Sequence, residues 1–326
     1  MSLLSRNIGL DLVRATEAAA LAASRWVGSG EPISAEMAAY KAVSEVLDEL
    51  PINGRIVIGE ENFLKKHTSL DSGLAVGTGE GPQVDVIVDP IDGAKLLVRG
   101  SSGAVSMIGV APKDSMWAPP PVALHMDKII VDQHTASALV PECLEAPAAW
   151  TIALVARAKN KPVHQVMVSL LNRPRHRDLI DEIRASGARI FLRTEGDAEG
   201  ALMAAMPDSG IDIWFGVGGV PQGIITACGV KALGGAMLGR LKPQSQSEYE
   251  AVLDAGLSTN RIMTQDDIII GDELFFATTA ITTTPILPPV RYHNDYAETH
   301  SFLLRGASGT RRYIHAQHWG ISFQTP

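Results

Sequence analysis

The second half of the chain alternates short apolar runs with segments of helical periodicity, and this alternation restricts the fold more than any other feature. The predicted strands cover 166–171, 189–192 and 211–217, followed by a turn at Gly218 and Gly219; the predicted helices cover 176–186, 197–206 and 221–233. Such alternation is typical of helix-covered sheets, in which functional groups follow the strand ends. We therefore expect an α/β protein.

The first half begins with two segments whose apolar residues recur at helical spacing. They predict helices over residues 7–27 and 34–50. Ser34 is a residue type that caps helices well, so it is the predicted N-cap of the second helix. Glu36 then lies in the first turn of that helix.

The chain has 326 residues, enough for one large domain or for two fused α/β halves. We place a soft boundary near residue 160. The expected organisation is an N-terminal half, 1–160, and a C-terminal half, 161–326, joined in one compact unit.

The composition excludes several classes of protein. The net charge is −8 and no long run of lysine and arginine occurs, which argues against binding to nucleic acid. No apolar stretch reaches the roughly 20 residues that span a bilayer, and the first residues do not have the pattern of a secretion signal. The two cysteines, Cys143 and Cys228, form no pairing framework. These features predict a cytoplasmic protein that does not contact membranes.

Two predicted strands of the first half lead directly into acidic residues. The run 55–58 precedes Glu60, and the run 84–88 precedes Asp89. Pro90 cannot donate a hydrogen bond to a sheet, so we expect the second strand to end there.

Asp89 and Asp92 are three residues apart around this proline turn and are expected to face a common point, with the Ile91 carbonyl between them. Several oxygen ligands with carboxylate charge are what hard divalent cations require. Glu60 is a candidate third carboxylate. The D-P-x-D-G motif alone is more often only a turn, so the combination of both acidic strand ends carries the prediction.

Over nearly its whole length the chain resembles the class II, bacterial-type fructose-1,6-bisphosphatases of the lithium-sensitive sugar and inositol phosphatase superfamily. The segments that carry the resemblance are residues 18–22, 54–60, 88–93, 173–176, 206–209, 216–223, 276–278 and 304–306. The resemblance implies a layered α/β/α/β/α sandwich and a homodimer or homotetramer. It also implies a metal-dependent phosphomonoesterase that acts on a sugar bisphosphate such as fructose 1,6-bisphosphate, by in-line attack of a metal-bound water.

The resemblance also implies roles for individual residues. The metal site, for Mg²⁺ or Mn²⁺, consists of Glu36, Glu60, Asp89, Asp92 and the Ile91 carbonyl, with Glu60, Asp89 and Asp92 as the catalytic acids. The substrate site consists of Gly93, Ala94, His125, Arg173, Arg175, Glu195, Asp197 and Gln222. The metal site lies in the first half and the contacts to the substrate phosphate in the second. Without the resemblance, Arg173 and Arg175 read as a solvated loop, and Asp197 is equally well a plain helix cap.

The sequence departs from the family pattern at positions of the implied metal and substrate sites. Ala94 stands where the family has a threonine that orients and deprotonates the attacking water, and Gln222 stands where it has a glutamate. Glu36 replaces an aspartate. His125 replaces a tyrosine that contacts substrate. Losing one orienting contact typically lowers a rate by about 10²–10⁴, so we expect weak hydrolysis of fructose 1,6-bisphosphate or an altered substrate.

Two alternatives remain open at this point. A non-hydrolytic enzyme of sugar-phosphate metabolism would keep the arginines while losing the threonine hydroxyl. A binding or regulatory protein without catalysis would show ligand-dependent thermal stabilisation without turnover.

Overall fold

The computed structural model describes residues 4, 8–59, 61, 67–321 and 323. The chain forms two compact units. The first consists of Met1–Met116 together with Gly271–Pro326, and the second of Trp117–Ile270. Residue 160, where the sequence suggested a soft boundary, lies inside the second unit, and the last 56 residues return to the first.

The first unit is built on one large mixed sheet. Its strands are β1 (Asn53–Ile56), β2 (Ala75–Val76), β3 (Gln83–Asp92), β4 (Val105–Pro112), β11 (Phe275–Ala280), β12 (Arg291–Tyr292), β13 (Tyr296–Arg305) and β14 (Thr310–Trp319). Their order is β12-β13-β11-β4-β3-β1-β2, and β14 pairs with β13. The pairing of β1 with β3 is parallel, so both strands run toward the same edge of the sheet.

Two long helices cover this sheet, α1 (Ile8–Ser24) and α2 (Pro32–Asp48). The small buried side chains of Ala15 and Ala19 bring α1 close to β11 and β13, and the helices also pack against each other. Both predicted helices are confirmed, but Ser34 as the N-cap is wrong. The second helix begins at Pro32, because the fixed φ of proline suits a first turn, and Glu36 therefore lies in its second turn.

The second unit contains the other mixed sheet, of strands β5 (His125–Val131), β6 (Met167–Leu171), β7 (Arg189–Arg193), β8 (Ile213–Gly219), β9 (Ala236–Leu241) and β10 (Met263–Thr264). Their order is β10-β9-β5-β8-β6-β7. The predicted turn at Gly218 and Gly219 is wrong, because both residues continue β8 and pair with β5.

Helices pack on both faces of this sheet. They are α4 (Ala148–Ala158), α5 (Arg177–Ala185), α6 (Asp197–Ala205), α7 (Val220–Leu233), α8 (Gln246–Asp254) and α9 (Gln265–Ile268); the short α3 (Ala94–Val98) belongs to the first unit. Side chains alternate along β5: Ile129 joins the apolar core under α4 and α5, whereas Lys128 is directed to the side of α6 and α7. The predicted α/β sandwich class is confirmed. None of the described helices combines the length and apolar character needed to cross a membrane.

Candidate active site

The acidic motif lies at the end of β3, a strand whose residues from Val84 to Asp92 are all buried. Asp89 pairs in register with Met107, and Asp92 pairs with Val105 after a register shift between the two aspartates. The prediction that the strand stops at Pro90 is therefore wrong. The ladder is interrupted at Pro90, where no N–H is present to donate, but it resumes at Asp92.

Asp89 and Asp92 are only 2% and 5% exposed. Burial of carboxylates is costly unless charge partners or cations compensate for it. Directly after them, Gly93 adopts a left-handed conformation with φ 92°, which turns the chain into α3. Ala94 is the first residue of α3 and is itself buried.

The parallel pairing of β1 with β3 carries the chain after β1 toward the sheet edge where Asp89 and Asp92 lie. The described segment reaches Gly59, whose N–H donates to the Ser72 hydroxyl at 2.9 Å. The predicted ligand Glu60 follows at once, and it lies outside the described residues.

Glu36 is a half-buried residue of α2, and α2 packs against both β3 and α3. The helix that carries Glu36 is therefore a neighbour of the strand that carries Asp89 and Asp92. In the described part of the chain, no group of three or more histidine, cysteine or acidic side chains forms a metal site. The donors at this end of β3 are carboxylate and carbonyl oxygens without thiolate or imidazole. This donor chemistry fits a hard cation such as Mg²⁺ or Mn²⁺.

The predicted substrate residues of the second unit lie along one edge of its sheet. Strands β6, β7 and β8 are parallel neighbours, so their carboxyl ends share an edge. The residues that follow these ends are Arg173 and Arg175 after β6, Glu195 and Asp197 after β7, and Gln222 after β8. His125 begins β5 opposite Gly219, so it lies at the same edge. Ligands bind in α/β sheets at such an edge.

Arg173 and Arg175 are both held in defined positions. Arg173 Nη2 donates to Glu195 Oε1 at 3.3 Å, and Arg175 donates through Nη2 and Nε to the Val217 carbonyl at 2.8 and 3.2 Å. Partial burial and the positive charge of Arg173 lower the pKa of Arg175. Pro174 and Arg175 are exposed, so the segment is a solvated loop whose two arginines are nevertheless held by hydrogen bonds. Two guanidinium groups whose positive charges interact form a site that a bound phosphate group would stabilise.

His125 is oriented by Glu248, a residue that sequence reasoning missed. Glu248 lies on α8 and is 7% exposed. Its carboxylate accepts from His125 Nδ1 at 3.0 Å, from the His125 N–H at 3.1 Å and from the Gln244 N–H at 2.7 Å. Because Nδ1 donates to Glu248, Nε2 is the ring atom directed toward other partners.

Asp197 is not a helix cap. The N-cap of α6 is Gly196 in a left-handed conformation, and Asp197 is the first helical residue. Its Oδ2 accepts from Lys128 Nζ at 2.5 Å, and Lys128 is completely buried. The sequence held one signal of this pair, a lysine directly before the apolar run Ile129-Ile130-Val131, because lysine is rarely buried without a partner.

His176, at the same edge, serves the backbone. Its Nδ1 donates to the Leu171 carbonyl at 2.7 Å, and its Nε2 accepts from the Val217 N–H at 2.8 Å. Burial lowers its pKa, which favours the neutral ring that this pair of bonds requires. Both ring nitrogens are engaged, so His176 anchors the loop after β6.

Nearly the whole chain aligns with one family of known proteins. Residues 6–318 match the family model for bacterial fructose-1,6-bisphosphatase, glpX-encoded. The chain is 32% identical to fructose-1,6-bisphosphatase 1 class 2 of Escherichia coli K12 over 327 aligned positions, which cover 96% of each protein. The class 2 enzyme of Shigella flexneri gives the same identity and coverage. With matches of this extent, the chain belongs to the family of bacterial, glpX-encoded fructose-1,6-bisphosphatases.

Proposed function

We propose that the protein is a metal-dependent phosphatase that removes a phosphate group from a sugar bisphosphate such as fructose 1,6-bisphosphate. Family membership over residues 6–318 supports the activity. The structural observation that carries it is the pair of buried aspartates, Asp89 and Asp92, at the interrupted end of β3.

The proposed cation is Mg²⁺ or Mn²⁺, held by Glu36, Glu60, Asp89, Asp92 and the carbonyl of Ile91. A bound divalent cation neutralises phosphate oxygens and lowers the pKa of a coordinated water. The buried carboxylates of Asp89 and Asp92 supply the negative charge that attracts the cation, and the register shift around Pro90 lies between them.

The far end of the substrate is held at the carboxyl edge of the second sheet. Arg173 and Arg175 bind the second phosphate, because two fixed guanidinium groups match the geometry of phosphate oxygens. Glu195, Asp197 and the Nε2 of His125 bind sugar hydroxyl groups. We thus propose that the first half of the chain binds the cation and the second half binds the far phosphate.

The departures from the family pattern also predict a slow enzyme. Gly93 and Ala94 contact the reacting phosphate, but Ala94 carries no hydroxyl to orient a water. Gln222, in the first turn of α7, offers an amide where a carboxylate would add charge. We propose cytoplasmic action as a homodimer or homotetramer, for which family membership is the support.

The test is phosphate release from fructose 1,6-bisphosphate and a panel of related sugar phosphates, with and without Mg²⁺ or Mn²⁺. Release that requires a cation and favours a ketose bisphosphate supports the proposal. The absence of phosphate release from every substrate with both cations would contradict the proposal. Conversion of a sugar phosphate without phosphate release would point to a repurposed, non-hydrolytic enzyme.

A further inference from the structure

Lys128 is a charged residue in the centre of the second sheet. It lies on β5, and its side chain is completely buried. Its stem runs past the backbone of Gly223, where an added Cβ would lie 3.6 Å from Cδ of the lysine. Lysine is rarely buried unless a partner compensates its charge. The partner here is Asp197 Oδ2 at 2.5 Å.

The carboxylate of Asp197 occupies a space that the surrounding backbone leaves open. A Cβ built on Gly218 would lie 1.8 Å from Asp197 Oδ2, so no other residue at position 218 tolerates the carboxylate in this position. Lys128 on one strand and Gly218 on the next therefore fix both the place and the direction of the Asp197 side chain.

One oxygen of this carboxylate lacks a donor. Asp197 Oδ1 is buried, and the described residues provide no hydrogen-bond partner for it. Buried carboxylate oxygens are almost always hydrogen-bonded in native proteins. The missing donor must come from outside the described chain, and a ligand hydroxyl at the carboxyl edge of the sheet is such a donor.

We infer that Lys128 is a positioning residue for substrate binding. It holds Asp197 through Oδ2, so that the carboxylate presents Oδ1 to a hydroxyl group of the bound sugar. Arg175 lies within electrostatic range of Asp197, which places this acceptor beside the site for the far phosphate. The inference rests on the proposed function, because it takes a sugar phosphate as the ligand.

The same unit offers a matched control. Lys159 is a half-buried lysine between carboxylates, with Nζ 2.7 Å from Asp132 Oδ2 and 2.9 Å from Asp212 Oδ1. Asp132 directly follows the carboxyl end of β5, whereas the substrate residue His125 begins that strand. Lys159→Met therefore removes a comparable ion pair at the opposite edge of the sheet.

The experiment measures the affinity for fructose 6-phosphate by titration calorimetry, together with kcat and KM for fructose 1,6-bisphosphate. Fructose 6-phosphate carries the sugar hydroxyls and the far phosphate but no phosphate at position 1. The variants are Lys128→Met, Asp197→Asn, their combination, and Lys159→Met. We expect each of the first two to weaken binding by about 10- to 100-fold, the loss of one hydrogen bond to a charged group.

A residue that acts only through Asp197 adds nothing once Asp197 is changed. The combined variant should therefore bind no more weakly than Asp197→Asn, and KM should rise while kcat stays within about threefold of the parent value. Lys159→Met should bind fructose 6-phosphate as the parent does. If Lys128→Met alone does not fold, the combined variant, in which neither side chain is charged, can still be compared with Asp197→Asn. Equal affinities of these two variants support the role of Lys128 as a positioning residue.

Two results overturn the inference alone: parental affinity in folded Lys128→Met, or a combined variant that binds more weakly than Asp197→Asn by the full effect of Lys128→Met. Failure of the unaltered chain to bind fructose 6-phosphate overturns the proposed function, and the inference with it.

Discussion

Ala94→Thr should increase the rate of fructose 1,6-bisphosphate hydrolysis, because it supplies the hydroxyl group that alanine lacks. Ala94 is the first residue of α3 and directly follows the turn at Gly93. A hydroxyl at this point lies two residues after Asp92. One oriented acid–base contact is worth about 10²–10⁴ in rate, and this corresponds to about 2.7–5.4 kcal/mol of barrier at 1.36 kcal/mol per tenfold.

The same change costs stability. Ala94 is 9% exposed, so threonine introduces a methyl and a hydroxyl group into a nearly closed space. The lower helix propensity of threonine costs up to about 0.7 kcal/mol, and a buried hydroxyl without a partner costs about 1–3 kcal/mol. The activity of the variant should therefore be measured at a temperature well below its melting temperature.

The assay is phosphate release from fructose 1,6-bisphosphate at saturating Mg²⁺ or Mn²⁺, with Ala94→Val as the control. Valine has the shape of threonine without its hydroxyl. We expect kcat to rise at least 100-fold in Ala94→Thr and to remain at the native level in Ala94→Val. Equal gains in both variants, or no gain in a folded Ala94→Thr, would refute the assignment of this position to water orientation.

Three further results are expected. Gln222→Glu should lower the cation concentration that gives half-maximal phosphate release, measured by metal titration, because a carboxylate adds a negative charge; an unchanged titration curve would show that the charge at position 222 does not affect cation binding. Lys159→Met should lower stability by about 3 kcal/mol, since it leaves the buried carboxylate of Asp132 without its cation while Asp212 keeps Lys161 at 2.8 Å, and the melting temperature should fall by about 5–10 °C; an unchanged melting temperature would contradict this. Against burial, Lys159 lowers the pKa of Asp132, and Lys161 and then Lys159 lower that of Asp212. The stability that these carboxylates contribute is therefore present above the ordinary pKa of 3.8 and lost at lower pH. The difference in melting temperature between Lys159→Met and the parent should shrink below about pH 4, and a difference that grows there would contradict this sign.

Local patterns were sufficient to predict most elements of the fold. The helix predicted at 7–27 is Ile8–Ser24, and the strand predicted at 189–192 is Arg189–Arg193. Residues that interrupt an element were less predictable. Pro90 was expected to end a strand that resumes after it, because sheet pairing with β4 on the far side of the proline outweighs one missing donor.

The candidate site was predictable where its residues follow strand ends. Arg173 and Asp197 were implied by the family resemblance, and the parallel arrangement of β6, β7 and β8 accounts for their common edge. Lys128 and Glu248 were not identified from the sequence, because their partners are 69 and 123 residues away along the chain. A contact of this kind depends on tertiary packing, and a lysine beside an apolar run indicates that a partner exists without identifying it.

The central claim is that the carboxylates at the end of β3 hold a cation beside a phosphate. The most direct measurement is phosphate release from fructose 1,6-bisphosphate as a function of Mg²⁺ or Mn²⁺ concentration in the parent, in Asp89→Asn and in Asp85→Asn. Asp85 is a completely buried aspartate of the same strand, but it binds Arg55 at 2.9 Å. We expect cation-dependent release that falls by about 100-fold or more in Asp89→Asn and persists in Asp85→Asn. Release that needs no cation, or that is undiminished in Asp89→Asn, would contradict it.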